Sequence, residues 1–539
     1  MIKLRTLTTF FATLMVSLLL IGCGTDDTTN TQTNTDTTQS VYEYEGLILY
    51  ADNMPVNAYT LEAINDRSFN ALSEANKTRI ADKLLSSLYY GIPEEQLKEL
   101  IASNTFISTI IAQIQEQTND LSAAEERLND NGYEDEEFYF RTWPVGTAEV
   151  SKILARFYVL EDLDKSYIDY WSAYVLSSTI MFSPAYELDS SHAPNIDRVY
   201  NGLIRAFREH STAGYTTFLH MVSDDNWRRF RSPEDNGREM MEIFLQNFDD
   251  KNVPIAAQAL KNWKLNSDND TLVIGLDENT EPLELFGTTI TDGFDFYREL
   301  VKSQEFIPKV TSRLVDIYFP NFSDLQKSQI VSTITASKIN TFQDILLQIV
   351  FSKEYLFNAV KPKSAEELFF SLSKKIYFKH SRGFFSYFSQ ALNDMNQASM
   401  KYKLGKYTEV PLDTQSFMVY HKFFRENLFI RYKTDNYFGW EEEMLIPDTL
   451  FDGIAAYKNK EMLYKLVNHL FLSTIAREAT EEEMALFEKY MIDSESETFI
   501  PGLRLFRDDG QTYERRYASV IIMDYLSRLS TTYQYEKVQ

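Results

Sequence analysis

Cys23 is the only cysteine in 539 residues. A lone thiol excludes an intrachain disulfide and a thiolate metal cluster. Glycine and proline are scarce, at 18 and 14, which disfavours a fold of many short strands and favours long helices. The six histidines are His192, His210, His220, His380, His421 and His469. None is paired at the three- or four-residue spacing of a helical metal site, so neither a metal nor another cofactor is expected. A glycine-rich phosphate loop and a Gly-x-Ser-x-Gly elbow are also missing. Basic residues are outnumbered, 53 Lys and Arg against 79 Asp and Glu, for a net charge of −26. Such a field repels phosphate backbones, and no basic run offsets it, so nucleic acid is not an expected partner.

Apolar material is plentiful: 44% of the residues are hydrophobic, including 38 Phe and 33 Tyr. That is ample for a large core, and the aromatics supply large buried areas. The amino terminus is the most specific signal. Lys3 and Arg5 precede an apolar run over 7–21, and Leu20-Ile21-Gly22 leads directly into Cys23. This resembles a bacterial lipoprotein signal, in which residues 1–22 are removed and Cys23 carries the lipid. The alternative, a membrane-spanning anchor, needs about 20 apolar residues, and this run is shorter. Gly24 follows, rather than the Asp that retains such proteins at an inner membrane, which points to the outer membrane. Residues 23–40, with no aliphatic or aromatic side chain after Cys23, read as a disordered tether.

Beyond the tether the pattern is mainly helical: a body over 41–400 with a hairpin near 271–290, then a helical region over 401–539 packed on it. The first segment, 41–50, reads as a short strand or an extended lead-in. Ile80, Leu84, Leu85 and Leu88 share one helix face. Residues 147–182 are long and apolar but broken by charges, and read as two packed helices. The acidic loop at 129–137 fails as a calcium loop, because an EF-hand register puts Arg127 at the first ligand. Asn266, Asp268 and Asp270 alternate like calcium ligands, but Thr271 sits at the turn position. Phe369-Phe370, Phe384-Phe385 and Phe423-Phe424 read as core, or alternatively as a glycan- or peptide-binding groove. Residues 401–413 are the expected internal linker.

The stretch 232–263 organises the body. Ser232-Pro233-Glu234-Asp235 is a helix start with a capping serine, a first-turn proline and two acids. Arg238, Glu239 and Glu242 then lie on one face, either as a charge network led by an Arg238–Glu242 tie or as a pocket in which a desolvated carboxylate works as acid or base. A second helix from about Val253, with Ala256 and Ala257, is small enough to pack closely, and Trp263 is expected to close it. Leu272-Val273-Ile274 and the segment at Leu283 are expected to pair as one hairpin.

Residues 234–242, the run Ala256-Ala257-Gln258-Ala259-Leu260-Lys261-Asn262-Trp263 and the run Lys361-Pro362-Lys363-Ser364-Ala365-Glu366-Glu367-Leu368 together resemble the large bacterial family catalogued as "domain of unknown function 1800". Its Leu-Gly turn falls on Phe286-Gly287, with only the glycine kept. The resemblance implies an exported, largely helical protein with no agreed activity, so it carries over no catalytic residue. Histidines of the family pattern fall on Tyr174 and Leu276 here; if they are ligands elsewhere, this chain has lost them.

The expected protein is therefore lipid-anchored to the cell envelope, held at the membrane through Cys23. It binds or scaffolds an exported protein or a surface polysaccharide. The alternative is an envelope hydrolase using Glu239 and Glu242 beside Arg238.

Overall fold

The computed structural model describes residues 43–116, 121–133, 145–181, 196–336, 340–376, 448–500 and 515–538, apart from single positions within them, and short pieces between 384 and 422. The chain divides into Met1–Val41 and Tyr42–Gln539, and all described structure lies in the second unit. Cys23, the tether, the 401–413 linker, Phe423-Phe424, His192, His380 and most of the 129–137 loop lie outside the described residues.

The described chain is mainly helical, and its strands form only two-stranded antiparallel sheets. A small hairpin, β1 (Glu43–Tyr44) with β2 (Leu47–Ile48), leads into the helices. Helix α1 (Glu74–Ser87) is capped by Ser73, and Ile80, Leu84 and Leu85 are buried along it as their spacing predicts. The apolar stretch that follows forms α2 (Val145–Tyr158) and α3 (Lys165–Ser177), the second capped by Asp164 accepting from the Tyr167 amide at 2.8 Å. No described helix is long and apolar enough to cross a membrane.

In the central stretch, α4 (Pro233–Leu245) starts where expected: the Ser232 hydroxyl accepts from the Asp235 amide at 3.2 Å, with Pro233 in the first turn. It packs on α5 (Val253–Ala259) with almost no space between them. A Cβ placed on Gly237 would lie 2.6 Å from the Ala256 Cβ, so only glycine lets the two backbones come this close. Trp263 does not close α5. It opens β3 (Trp263–Leu265) and is buried against Trp227, Phe294 and Tyr297, with ring centroids 5.8, 4.8 and 5.7 Å away.

The expected single hairpin is two. β3 pairs with β4 (Leu272–Ile274), and β5 (Leu283–Leu285) pairs with β6 (Thr288–Ile290). Turn chemistry decides the pairing. Phe286 and Gly287 both have positive φ, 52° and 79°, the two-residue geometry whose twist matches flanking strands, so β5 turns back on its immediate successor. Asn266 closes the other turn by accepting from the Asp268 amide at 2.9 Å. That contact and its neighbours make an ordinary polar turn of the suspected calcium ligands.

Helix α6 (Phe342–Val350) is capped by Thr341. The chain then forms a π-turn over Glu354–Asn358, strand β7 (Lys361–Pro362) and α7 (Ala365–Lys375). Strand β8 (Gln534–Tyr535) returns to pair with β7, so residues of the last helical region complete a sheet begun in the body. Phe369, Phe370, Phe384, Phe385 and Phe388 are all buried, and Phe369 stacks on Phe384 with centroids 4.6 Å apart. They are core: Phe157 meets Phe370 edge-on at 5.1 Å and closes the cluster, which overturns a surface groove at these residues.

Candidate functional site

The carboxylates of α4 do not gather into a pocket. Arg238 is exposed and reaches back to Glu234 at 3.3 Å, not forward to Glu242. Glu242 instead offers its backbone carbonyl to Arg313 Nη2 at 2.6 Å. Burial, with the nearby charges of Glu242 and Asp235, pushes the half-buried Glu239 carboxyl above its ordinary range. Neither cleft described below is lined by these three residues. Among the described residues no group of three His, Cys, Asp or Glu side chains is arranged to hold a metal. His469 bonds Glu94 at 2.9 Å, and His421 lies 3.0 Å from the Ser527 hydroxyl. Leu276 is exposed in the segment joining the two hairpins, while Tyr174 is buried and donates to Glu366 Oε1 at 2.9 Å.

That Tyr174 contact marks the edge of a buried charged cluster. Lys83, Lys361, Lys363 and Lys375 are all less than a tenth exposed. Burying four ammonium groups is costly unless each is paired or hydrogen-bonded. Two elements supply the partners. On α1, Asp82 and Ser86 meet α7, where Ser86 and Ser371 share a hydrogen bond of 2.7 Å, while Lys83 and Ser87 face the π-turn, where Ser87 and the Tyr355 hydroxyl share one of 2.6 Å. At the start of α7, Ser364 and Glu367 cap each other, with Glu367 Oε2 accepting from the Ser364 amide at 2.6 Å.

The lysines are then distributed unevenly. Lys361 donates to both oxygens of Glu367, at 2.8 and 2.7 Å. Lys375 donates to Asp82. Lys83 donates to the Leu356 and Ala359 carbonyls at 3.2 and 2.6 Å, using acceptors freed at the end of the π-turn. The Lys363 amide donates to the Tyr533 carbonyl at 2.8 Å, but its side chain has no hydrogen bond or ion pair among the described residues, and its ammonium sits 5.0 Å from the Tyr535 ring centroid. The same ring faces Lys83 and Lys361 at 5.8 and 5.7 Å, so Tyr535 offers its negative π-face to three cations.

These surroundings move the titrations. Burial, then the neighbouring Lys361 charge, pushes the Lys83 ammonium down to about 7, against the pull of Glu367. Burial also lowers Lys363, opposed by Asp82 and reinforced by Lys375. Burial alone would raise Asp82, but the Lys375 and Lys363 ammoniums hold its carboxyl below the usual range. Burial raises the phenols of Tyr355 and Tyr535 well above theirs.

Two small clefts open beside the cluster. The first is lined by Tyr89, Ser178, Thr179, Tyr318, Lys361 and Glu367. The second, open to solvent, has a cavity volume of about 50 Å³ and is lined by Arg79, Asp82, Lys83, Lys363, Thr531 and Tyr535, with Arg477 and Glu536 at its side. In the sequence the 361–368 run stands out only through the family resemblance, and no local basic patch is visible. The fold assembles one from positions that are far apart along the chain. A signal existed on α1, where Asp82 and Lys83 interrupt a run of residues buried from Ile80 to Ser87.

Compared with protein-family models, with curated proteins and with solved structures, the chain matches none.

Proposed function

We propose that this chain is a lipid-anchored protein of the cell envelope that works by binding, and that its ligand enters the cleft between α1 and β8. One observation carries the reading: a chain of net charge −26 buries four lysines in one cluster, two of them, Lys83 and Lys363, on the wall of a cleft, and among the described residues the Lys363 ammonium has no bonded acceptor. Burying charge costs free energy, and leaving it unmatched costs more, so a ligand group that supplies the missing charge is the simplest reason for the arrangement. The Lys3–Cys23 pattern supports export and lipid attachment at the outer membrane. An exported protein or a surface polymer is the partner we propose, and membership of the resembled family belongs to the same proposal.

Two measurements test this. Cys23→Ser should move the protein from the membrane to the soluble fraction; retention on membranes would refute the anchor. A photo-crosslinking residue placed at Gln534, on the cleft wall, should capture a partner in intact cells, while the same residue at exposed Leu276 should not. Equal capture at both positions, or none at Gln534, would refute binding in the cleft.

A further inference from the structure

Charges around the second cleft divide into matched and unmatched ones. Asp82 is satisfied by Lys375, and Arg477 holds Glu483 with two hydrogen bonds of 2.7 and 2.9 Å. Arg79 and Lys363 have no hydrogen bond or ion pair from their side chains among the described residues. Lys363 is only 6% exposed, so its ammonium is held in the cleft rather than solvated outside it. A third donor is idle as well: the hydroxyl of Thr531, which lines the same cleft, is buried without a hydrogen-bond partner. A guanidinium, an ammonium and a hydroxyl therefore line one small space, with Lys83 beside them. Among the lining side chains, exposed Glu536 is the one acid not already matched inside the cleft, and it faces Arg477.

We infer that this cleft seats the terminal phosphoryl group of a phosphate monoester, held by Arg79, Lys363 and Thr531. The assignment rests on the binding reading above and adds the ligand's chemistry. Two cations without a bonded acceptor, Lys363 facing Asp82 and Glu367 only through space, suit a ligand carrying about −1.5 to −2, which a phosphate monoester has at neutral pH and a single carboxylate does not. The planar guanidinium fork matches two phosphoryl oxygens at once, and the hydroxyl and ammonium suit the third. The acidic exterior then acts as a filter: it repels long polyanions while a compact terminal group reaches the recessed cations.

The test is isothermal titration calorimetry on the full chain with glycerol 3-phosphate, inorganic phosphate and succinate, at fixed ionic strength. Both phosphates should bind, and succinate should bind at least about tenfold more weakly, a difference of about 1.4 kcal/mol. Lys363→Met and Arg79→Gln should each weaken phosphate binding by about tenfold or more. Thr531→Val keeps the shape of its side chain and should weaken binding by a few fold, which guards against a lysine variant that fails to fold. Binding should also weaken below about pH 6, where the phosphoryl group takes up a proton. Phosphate binding unchanged by all three variants, or no phosphate binding at millimolar concentration, would overturn the assignment. If succinate alone binds, with dependence on Lys363, the phosphoryl assignment falls and the binding reading stands. If no anion binds and Gln534 captures nothing, both fall.

Discussion

The sharpest stability test lies at the pair formed by Asp82 and Lys375. Both side chains are 7% exposed, and the Asp82 carboxylate serves Lys375, Ser86 and, through space, Lys363. Asp82→Asn keeps the shape and removes the charge, which leaves the buried Lys375 without its ion-pair partner and leaves Glu367 as the carboxylate still acting on Lys363. Breaking a buried pair in this one-sided way costs about 3–5 kcal/mol. A unit of about 500 residues, Tyr42–Gln539, has an unfolding entropy near 1 kcal/mol/K at about 2.1 cal/mol/K per residue. The shift in Tm should then be only about 3–5 °C, so denaturant titration is the better assay. The double change Asp82→Leu with Lys375→Met should recover most of the loss, because it removes both desolvation costs. The pH course has a definite sign. The carboxyl is held below its ordinary value of 3.8, so its contribution is present above that pH and is lost as pH falls through the lower folded value. The gap between wild type and Asp82→Asn should be constant near neutrality and close in strong acid. A cost under about 0.5 kcal/mol for Asp82→Asn, or a double variant as unstable as the two singles summed, would refute the pair as the cluster's anchor.

Gly237→Ala adds a methyl where the Ala256 Cβ leaves 2.6 Å. Overpacking of about 1–3 kcal/mol should outweigh the helix-propensity gain of about 1 kcal/mol, and Ala256→Gly should restore stability in denaturant melts. Alkaline stability should rise between about pH 7 and 10, because the unfolded chain keeps the proton on Lys83 that the folded chain has given up at about 7. Above about pH 10 it should fall, since Tyr355 and Tyr535 resist ionising in the fold; Lys83→Met should make the rising limb shallower in urea titrations read across pH, with Lys374, which burial also pushes down to about 7, supplying the slope that remains. Glu242→Ala should leave fold and ligand binding unchanged, since Glu242 meets Arg313 through its backbone; loss of binding would return attention to α4.

Helices were legible wherever one face stayed apolar. Ile80, Leu84 and Leu85 mark α1, and the Ser232-Pro233 start of α4 is a local signal that tertiary contacts had no reason to override. Pairing of strands was not legible in the same way. Leu272–Ile274 and Leu283–Leu285 are strands, but which neighbour each takes depends on the turn between, and the tight turn at Phe286-Gly287, with a phenylalanine at positive φ, is marked in the sequence only by the family resemblance. The charged cluster was harder still. Lysine is usually a solvated residue, and nothing local tells Lys363 from Lys353, which stays nearer the surface with Glu62. Only the three-dimensional meeting of α1, the 361–367 segment and β8 separates them.

That meeting has a cost in time. Lys83 lies near one end of the described sequence and Tyr535 near the other, yet their side chains share one wall of the cleft. Contacts of such long range form late, because the chain must first give up the entropy of closing a very large loop. Any partial product of synthesis that stops before residue 531 has the lysines but not the ring that faces them. Such a fragment keeps the Lys361–Glu367 and Lys375–Asp82 pairs but lacks Thr531 and the Tyr535 ring on the cleft wall. On the binding we propose, a complete cleft wall therefore requires the chain through residue 538, which lines it together with Arg79 and Lys83 from the other end of the described sequence.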